Sequence, residues 1–188
     1  MRRRRGLSER QEIAARVGDA VAKALQCTHP AMEETPVSHA FRRLTLAARR
    51  VTQPERDWAE AEHKGALQHF PATSWWPQRL RLVVDAFDKG TPLDPVSIEI
   101  HAIRIGTAVI VTNPFELYID YAWRIKARSP AEQTVVVQLA AGSGEYLPTE
   151  RAVRGMHYSA HPAVATAGPE AGSQFVEASL DLIAQVLK

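Results

Sequence analysis

Residues Val96 to Thr112, VSIEIHAIRIGTAVIVT, decide the class of this fold. Val96, Ile98, Ile100 and Ala102 alternate with Ser97, Glu99 and His101, the two-residue period of a strand with one buried face. Ile105-Gly106-Thr107 reads as a tight turn, and Ala108 to Thr112 as a short apolar strand, so the stretch is a β-hairpin. Downstream, Asn113-Pro114 is a helix start, with Asn113 as N-cap and Pro114 in the first turn, and the helix is expected to run to about Ala127. Thr134 to Ala140 is an almost unbroken apolar run and reads as a central strand covered on both faces. A helical crossover joins strands that point the same way, so this strand is expected to lie parallel to Ala108–Thr112. A hairpin and a crossover in one chain imply a mixed sheet flanked by helices, an α/β class.

The flanks agree with that class. Ser8 and Gln11 have capping-box spacing, and Ile13, Val17, Val21 and Leu25 form one stripe of a helix to about Gln26. Cys27 to Pro36 reads as a loop. Val37 to Val51 reads as a strand with one wet, basic face. Pro54, Glu55 and Asp57 mark the first turn of a helix reaching about His69. The stretch Pro71 to Pro77, with its double tryptophan, reads as a break before a helix over Arg79 to Asp88. That helix is stopped by Gly90 and Pro92. The last helix spans about Glu170 to Leu187, with Phe175, Ser179, Ile183 and Val186 near one stripe.

Composition narrows the function classes. The chain has 188 residues, 45% hydrophobic and 23% charged, which is enough for one self-sufficient core. We read residues 1–7 as a basic tail and 8–188 as a single domain. With 23 basic and 21 acidic residues the formal charge is +2, which gives no broad footprint for nucleic acid. Arg2 to Arg5 concentrate basic charge at the N-terminus, but Gly-Leu-Ser-Glu-Arg follows where a secretory signal needs an apolar core. A solvated tail and a cytoplasmic chain are expected. No apolar run is long enough for a transmembrane segment. Salt-dependent nucleic-acid binding through Arg2–Arg5 is the weakest alternative.

The chemistry-bearing residues are sparse. Cys27 is the single cysteine, and none of the seven histidines has HExxH spacing. His157 and His161 are four apart, but Ser159 and Pro162 argue against a helix there, so both are read as surface or loop residues. His101 falls on the polar face of its strand. Gly142-Ser143-Gly144 reads as a turn. On spacing alone Glu116 is a capping-box partner of Asn113, and Tyr146 follows a glycine loop at a strand end, where ligand sites of open α/β sheets gather.

The run IRIGTAVIVTNPFELYIDYAWRIKARSPAEQTVVVQLAAGSGEYLPTERAV from Ile103, followed by GMHYSA and AGPEAG, resembles neutral/alkaline non-lysosomal ceramidases. It is most similar to the C-terminal half of the catalytic domain in the bacterial ceramidase-like branch. The resemblance implies an incomplete ceramidase-like domain, a zinc cofactor and an N-acyl sphingoid base or related N-acyl lipid as substrate. In that family two histidines, a glutamate and a tyrosine hold the zinc. Arg124-Ile125-Lys126 sets the register that carries the glutamate to Glu116, and Tyr146 with Thr149 matches the tyrosine segment. The family's glycine before the glutamate is Phe115 here, and its two histidines lie upstream of anything in this sequence. Related proteins are often exported. A complementary N-terminal half, or self-association through an uncovered apolar face, is the implied partner. A non-catalytic interaction module that keeps the fold is the competing reading. The parallel crossover puts both strand ends at one edge of the sheet, so zinc ligation implies that Glu116 and Tyr146 approach each other there, whereas a Glu116 that only caps Asn113 leaves Tyr146 packed elsewhere.

Overall fold

A two-residue loop, Gly106-Thr107, closes the central hairpin. Strand β2 (Val96–Ile105) meets β3 (Ala108–Thr112) antiparallel with Ile105 opposite Ala108. Gly106 has φ +62°, the left-handed value that a tight hairpin turn places on glycine. The computed structural model describes residues 6–28 and 35–188, and this part divides into two compact units between Thr35 and Pro36.

The first unit holds α1 (Glu9–Gln26). Its capping box is formed: the Gln11 N–H reaches Ser8 Oγ at 3.4 Å, and the Ser8 N–H reaches Gln11 Oε1 at 3.0 Å. Ile13, Val17, Val21 and Leu25 are each more than half exposed. Apart from Gly6 and Leu7, the tail read over 1–7 lies outside the described residues, as does part of the Cys27–Pro36 loop.

In the second unit β1 (Val37–Leu46) pairs antiparallel with β2 along its whole length, from Val37 opposite Ile105 to Leu46 opposite Val96. Strand β5 (Gln133–Val137) pairs parallel with β3, so the sheet order is β1-β2-β3-β5 and the sheet is mixed. Helix α6 (Pro169–Val186) covers one face, and Phe175, Ser179, Ile183 and Val186 are buried as their stripe requires. Phe175, Ile183 and Val186 share one apolar cluster with Ile98, Ile100, Val109 and Val111 from the sheet. Burying a side chain such as Phe175 contributes about 2–3 kcal/mol. The other face keeps Val37, Phe41 and Ile105 exposed and carries a stacked pair, His39 and His101, with ring nitrogens 2.9 Å apart. Helices α2 (Gln53–Ala66) and α3 (Trp75–Asp88) form a second apolar cluster around Ala59, Leu80, Val83 and Val84.

Four expectations are corrected. No helix starts at Asn113. Its buried side chain instead accepts from the Phe115 N–H and donates to the Val137 carbonyl, both at 3.1 Å, and so stitches the ends of β3 and β5 together. Helix α4 (Ile119–Arg128) begins six residues later, after a short strand β4 (Glu116–Leu117). The run at Thr134 is an edge strand rather than a central one, with Val135 and Val137 each more than a third exposed. It stops at Val137, and Leu139 and Ala141 bend the chain away at φ +56° and +63°. The strand from Val37 ends at Leu46. Its basic residues divide, Arg42 bonding Asp181 of α6 and Arg43 bonding Glu99 on the open face. Finally, α3 starts at Trp75, because Pro77 in the first turn lacks only an N–H the helix does not use. Among the described residues no helix is long and apolar enough to cross a membrane.

Candidate functional site

The loop after β3 and the loop after β5 are locked together before either reaches its functional residue. Gly144 donates its N–H to the Pro114 carbonyl at 2.9 Å. A Cβ on Gly144 would stand 2.8 Å from that oxygen and 2.9 Å from the buried Phe115 ring, so only glycine permits this approach. The next residue, Glu145, is clamped. Its carboxylate takes a hydrogen bond from Arg79 of α3, and accepts from the Thr166 N–H at 2.9 Å and the Thr166 hydroxyl at 2.5 Å.

From these anchors the chain forms β6 (Tyr146–Leu147), which pairs parallel with β4. Glu116 stands opposite Tyr146 in that register, although thirty residues (146 minus 116) separate them in sequence. The Glu116 N–H donates to the Glu145 carbonyl at 3.1 Å, and the Tyr146 N–H to the Val164 carbonyl at 3.0 Å. Glu116 therefore does not fold back on Asn113, and the capping-box reading is replaced by this ladder. The Glu116 carboxylate holds the Tyr146 phenol above its ordinary pKa, with smaller contributions from partial burial and from Tyr158 and Tyr118. The phenol is thereby held as a hydrogen-bond donor toward Glu116.

An open groove lies beside the pair, lined by Tyr118, Asp120, Tyr146, Arg151, His157 and Tyr158. Thr149 caps α5 (Glu150–Arg154), its hydroxyl accepting from the Ala152 N–H at 3.3 Å. The Tyr118 hydroxyl meets Ser159 Oγ at 2.7 Å. Sequence reading missed the aromatic walls. Tyr118 and Tyr158 carry no periodic signal, and the Trp75-Trp76 doublet reads only as a break. The Arg79–Glu145 clamp spans 66 residues and leaves no local trace.

Among the described residues no group of three His, Cys, Asp or Glu side chains is arranged to hold a metal. Glu116 and Tyr146 supply two oxygens, and a catalytic zinc takes three protein ligands.

His161 corrects the surface reading given to it. It is buried against Trp58, with ring centroids 3.5 Å apart, and its Nδ1 accepts from the Ala163 N–H at 3.3 Å, which puts the proton on Nε2. Burial pushes its pKa down to about 3 from an ordinary 6.5, Arg49 adds to the shift, and the Glu55 carbonyl opposes it. The folded chain thus keeps His161 neutral while the unfolded chain takes up a proton below pH 6.5. Stability is expected to fall as pH drops from 6.5 toward 3, with roughly 2 kcal/mol lost between pH 7 and 5. Urea unfolding at the two pH values measures this. The loss should shrink to near zero in His161→Gln, and an equal loss in both proteins would refute the assignment.

No family model matches the sequence, and none of the curated proteins is similar to it. Solved structures are similar in fold. The neutral ceramidase from Pseudomonas aeruginosa superposes with a TM-score of 0.53 at 17% identity, over 87% of this chain and 30% of that one. A ceramidase solved in complex with C2 gives a TM-score of 0.52 at 16% identity, over 87% of this chain and 32% of its own. The likeness shows a ceramidase-like fold, and the chain spans about a third of the length of those structures.

Proposed function

We propose that this chain supplies one side of a ceramidase-like amidohydrolase site. In this reading Glu116 and Tyr146 are two oxygen ligands of a zinc ion, and two histidines come from a segment outside these 188 residues. The substrate class is an N-acyl sphingoid base or a related N-acyl lipid. The observation that carries the proposal is the register of the β4·β6 ladder, which puts Glu116 directly opposite Tyr146. The fold likeness supports it, and the exposed Val37, Phe41 and Ile105 of the sheet offer a face for a covering segment. That no third donor joins Glu116 and Tyr146 among the described residues favours, as the second reading, an interaction module that retains the fold without the chemistry.

The test is zinc titration of the purified chain by calorimetry, followed by an amide-hydrolysis assay with an N-acyl sphingosine. The chain alone should bind zinc roughly a hundredfold or more weaker than a complete site does, and should not turn over. Glu116→Gln and Tyr146→Phe should each abolish that weak binding. Expression together with the reading frame upstream of Met1, if it encodes two widely spaced histidines, should restore hydrolysis. Zinc binding indifferent to both substitutions would remove the amidohydrolase reading and leave the interaction module.

A further inference from the structure

Strand β1 stands at one end of the sheet order, so one of its edges has no neighbouring strand. The Gly106 N–H donates to the Pro36 carbonyl at 2.8 Å, and the register with β2 continues from there without a bulge to Leu46 opposite Val96. Antiparallel ladders alternate, so the even-numbered residues of β1 direct their backbone groups to β2. Val37, His39, Phe41, Arg43 and Thr45 direct theirs outward. Five residues with one N–H and one carbonyl each make ten groups. Among the described residues none of the ten has a hydrogen-bond partner.

Folded chains ordinarily protect such an edge by shortness, a proline, a bulge, a lysine or an inward-pointing charge. Strand β1 is ten residues long and contains neither proline nor lysine. Val37 is 70% exposed and Phe41 57%. Arg43 is the one Arg, Lys, Asp or Glu among the outward residues, and it bonds Glu99 on the inner neighbour β2 at 2.9 Å. On the other face Arg42 is held by Asp181 of α6 at 3.1 Å.

This edge is its own complement. Laid antiparallel on a second copy, β1 meets β1 with Phe41 on the two-fold axis, Val37 opposite the second copy's Thr45, and His39 opposite its Arg43. All the outward groups of both strands then pair, which gives ten hydrogen bonds between the copies, and a standard interface carries about ten. The two Phe41 side chains come to lie side by side across the axis. The sheet's other edge, β5, has only five residues, so β1 laid on it would leave groups unpaired and build an array that does not close.

We propose that the chain pairs with a second copy of itself through β1, which joins two four-stranded sheets into one continuous sheet. The pairing involves no residue of the β4·β6 site. It goes beyond the amidohydrolase reading and does not depend on it.

The experiment is sedimentation equilibrium of the full chain over the micromolar range, and a reversible monomer–dimer equilibrium is expected. Phe41→Pro removes one outward N–H from each copy but none that bonds β2, so the ladder within the chain stays intact. It should raise the dissociation constant about a hundredfold. Phe41→Lys places two like charges on the axis and should raise it about tenfold. Lysine at an exposed position keeps the fold even where proline disturbs it, and thermal unfolding checks both variants. Crosslinking with a mild oxidant in a Cys27→Ser background reads the register. Phe41→Cys should give a disulfide-linked dimer, because residues paired across the axis have Cα atoms about 5.5 Å apart, whereas Val37→Cys should not. A chain that stays monomeric overturns the proposal and leaves the edge for an extended peptide of another protein. So does a dimer indifferent to both Phe41 substitutions, a mass that grows without limit, or equal crosslinking at the two positions. Zinc titration and amide hydrolysis do not read this edge, so failure of either proposal leaves the other standing.

Discussion

Alanine at Gly172 should destabilise the chain by about 3 kcal/mol or more and lower the melting temperature by roughly 10 °C. In most helix interiors the same change gains up to about 1 kcal/mol of helix propensity, so the sign here is diagnostic. Gly172 lies in α6 where Tyr121 of α4 crosses it. A Cβ there would stand 2.1 Å from the Tyr121 Cζ and 2.3 Å from its hydroxyl oxygen. The ring has no free direction to move: Tyr121 is 3% exposed, and its hydroxyl donates to the Pro148 carbonyl at 2.8 Å. Burial pushes the phenol up to about 12, so it remains a donor across the accessible pH range. The extra methyl must either expel the ring, which orphans a buried carbonyl, or force α4 off α6. Thermal denaturation followed by circular dichroism measures the cost. Tyr121→Phe alone should cost only about 1 kcal/mol. Tyr121→Leu combined with Gly172→Ala should recover part of the loss. A Gly172→Ala protein that melts with the parent would refute this account of the α4–α6 contact.

The second large effect is expected at Arg49. Its side chain is 7% exposed and that of Glu55 is 3%, and the two form an ion pair. Glu55 also accepts from the N–H and the hydroxyl of Thr52, each at 2.9 Å, while Arg49 donates to the Ala160 carbonyl at 2.7 Å. Burial pulls the Arg49 guanidinium below its ordinary pKa, and Glu55 and Glu170 pull it back. Arg49→Met leaves a carboxylate buried without its cation, a change that costs about 3–5 kcal/mol. Adding Glu55→Gln removes the stranded charge and should return part of that loss, so the double variant should be more stable than the Arg49 variant. Urea unfolding of the three proteins reads this coupling. Purely additive losses would mean the pair is solvated.

These contacts show what a sequence can and cannot reveal. The hairpin at Gly106 and the stripe of α6 were legible because each signal is local and periodic. The parallel arrangement of β3 and β5 followed from handedness and connection length, and it led to the expectation that Glu116 and Tyr146 meet. The route was misread, however. Asn113-Pro114 suits a helix start and an Asx-type turn equally well, and the choice is made by the Val137 carbonyl, which lies on another strand. Strands of two residues, such as β4 and β6, have no period to detect. Valines on both faces of β5 concealed its edge position. His161 and Arg49 are placed by Trp58, Glu55 and Ala160, partners that no spacing rule connects.

The β4·β6 ladder sets the lifetime of the site apart from the lifetime of the fold. Ten residue pairs join β1 to β2, but only two pairs join β4 to β6. A ladder that short opens by losing a few backbone hydrogen bonds, far less than global unfolding requires. Warming would therefore separate Glu116 from Tyr146 while the four-stranded sheet stays shut. Any chemistry that depends on the pair would fade below the melting transition, with secondary structure intact. The clamp of Glu145 by Arg79 and Thr166 steadies one strand of the ladder from outside it, and the Leu117 N–H, which donates to Gln138 Oε1 at 2.9 Å, steadies the other.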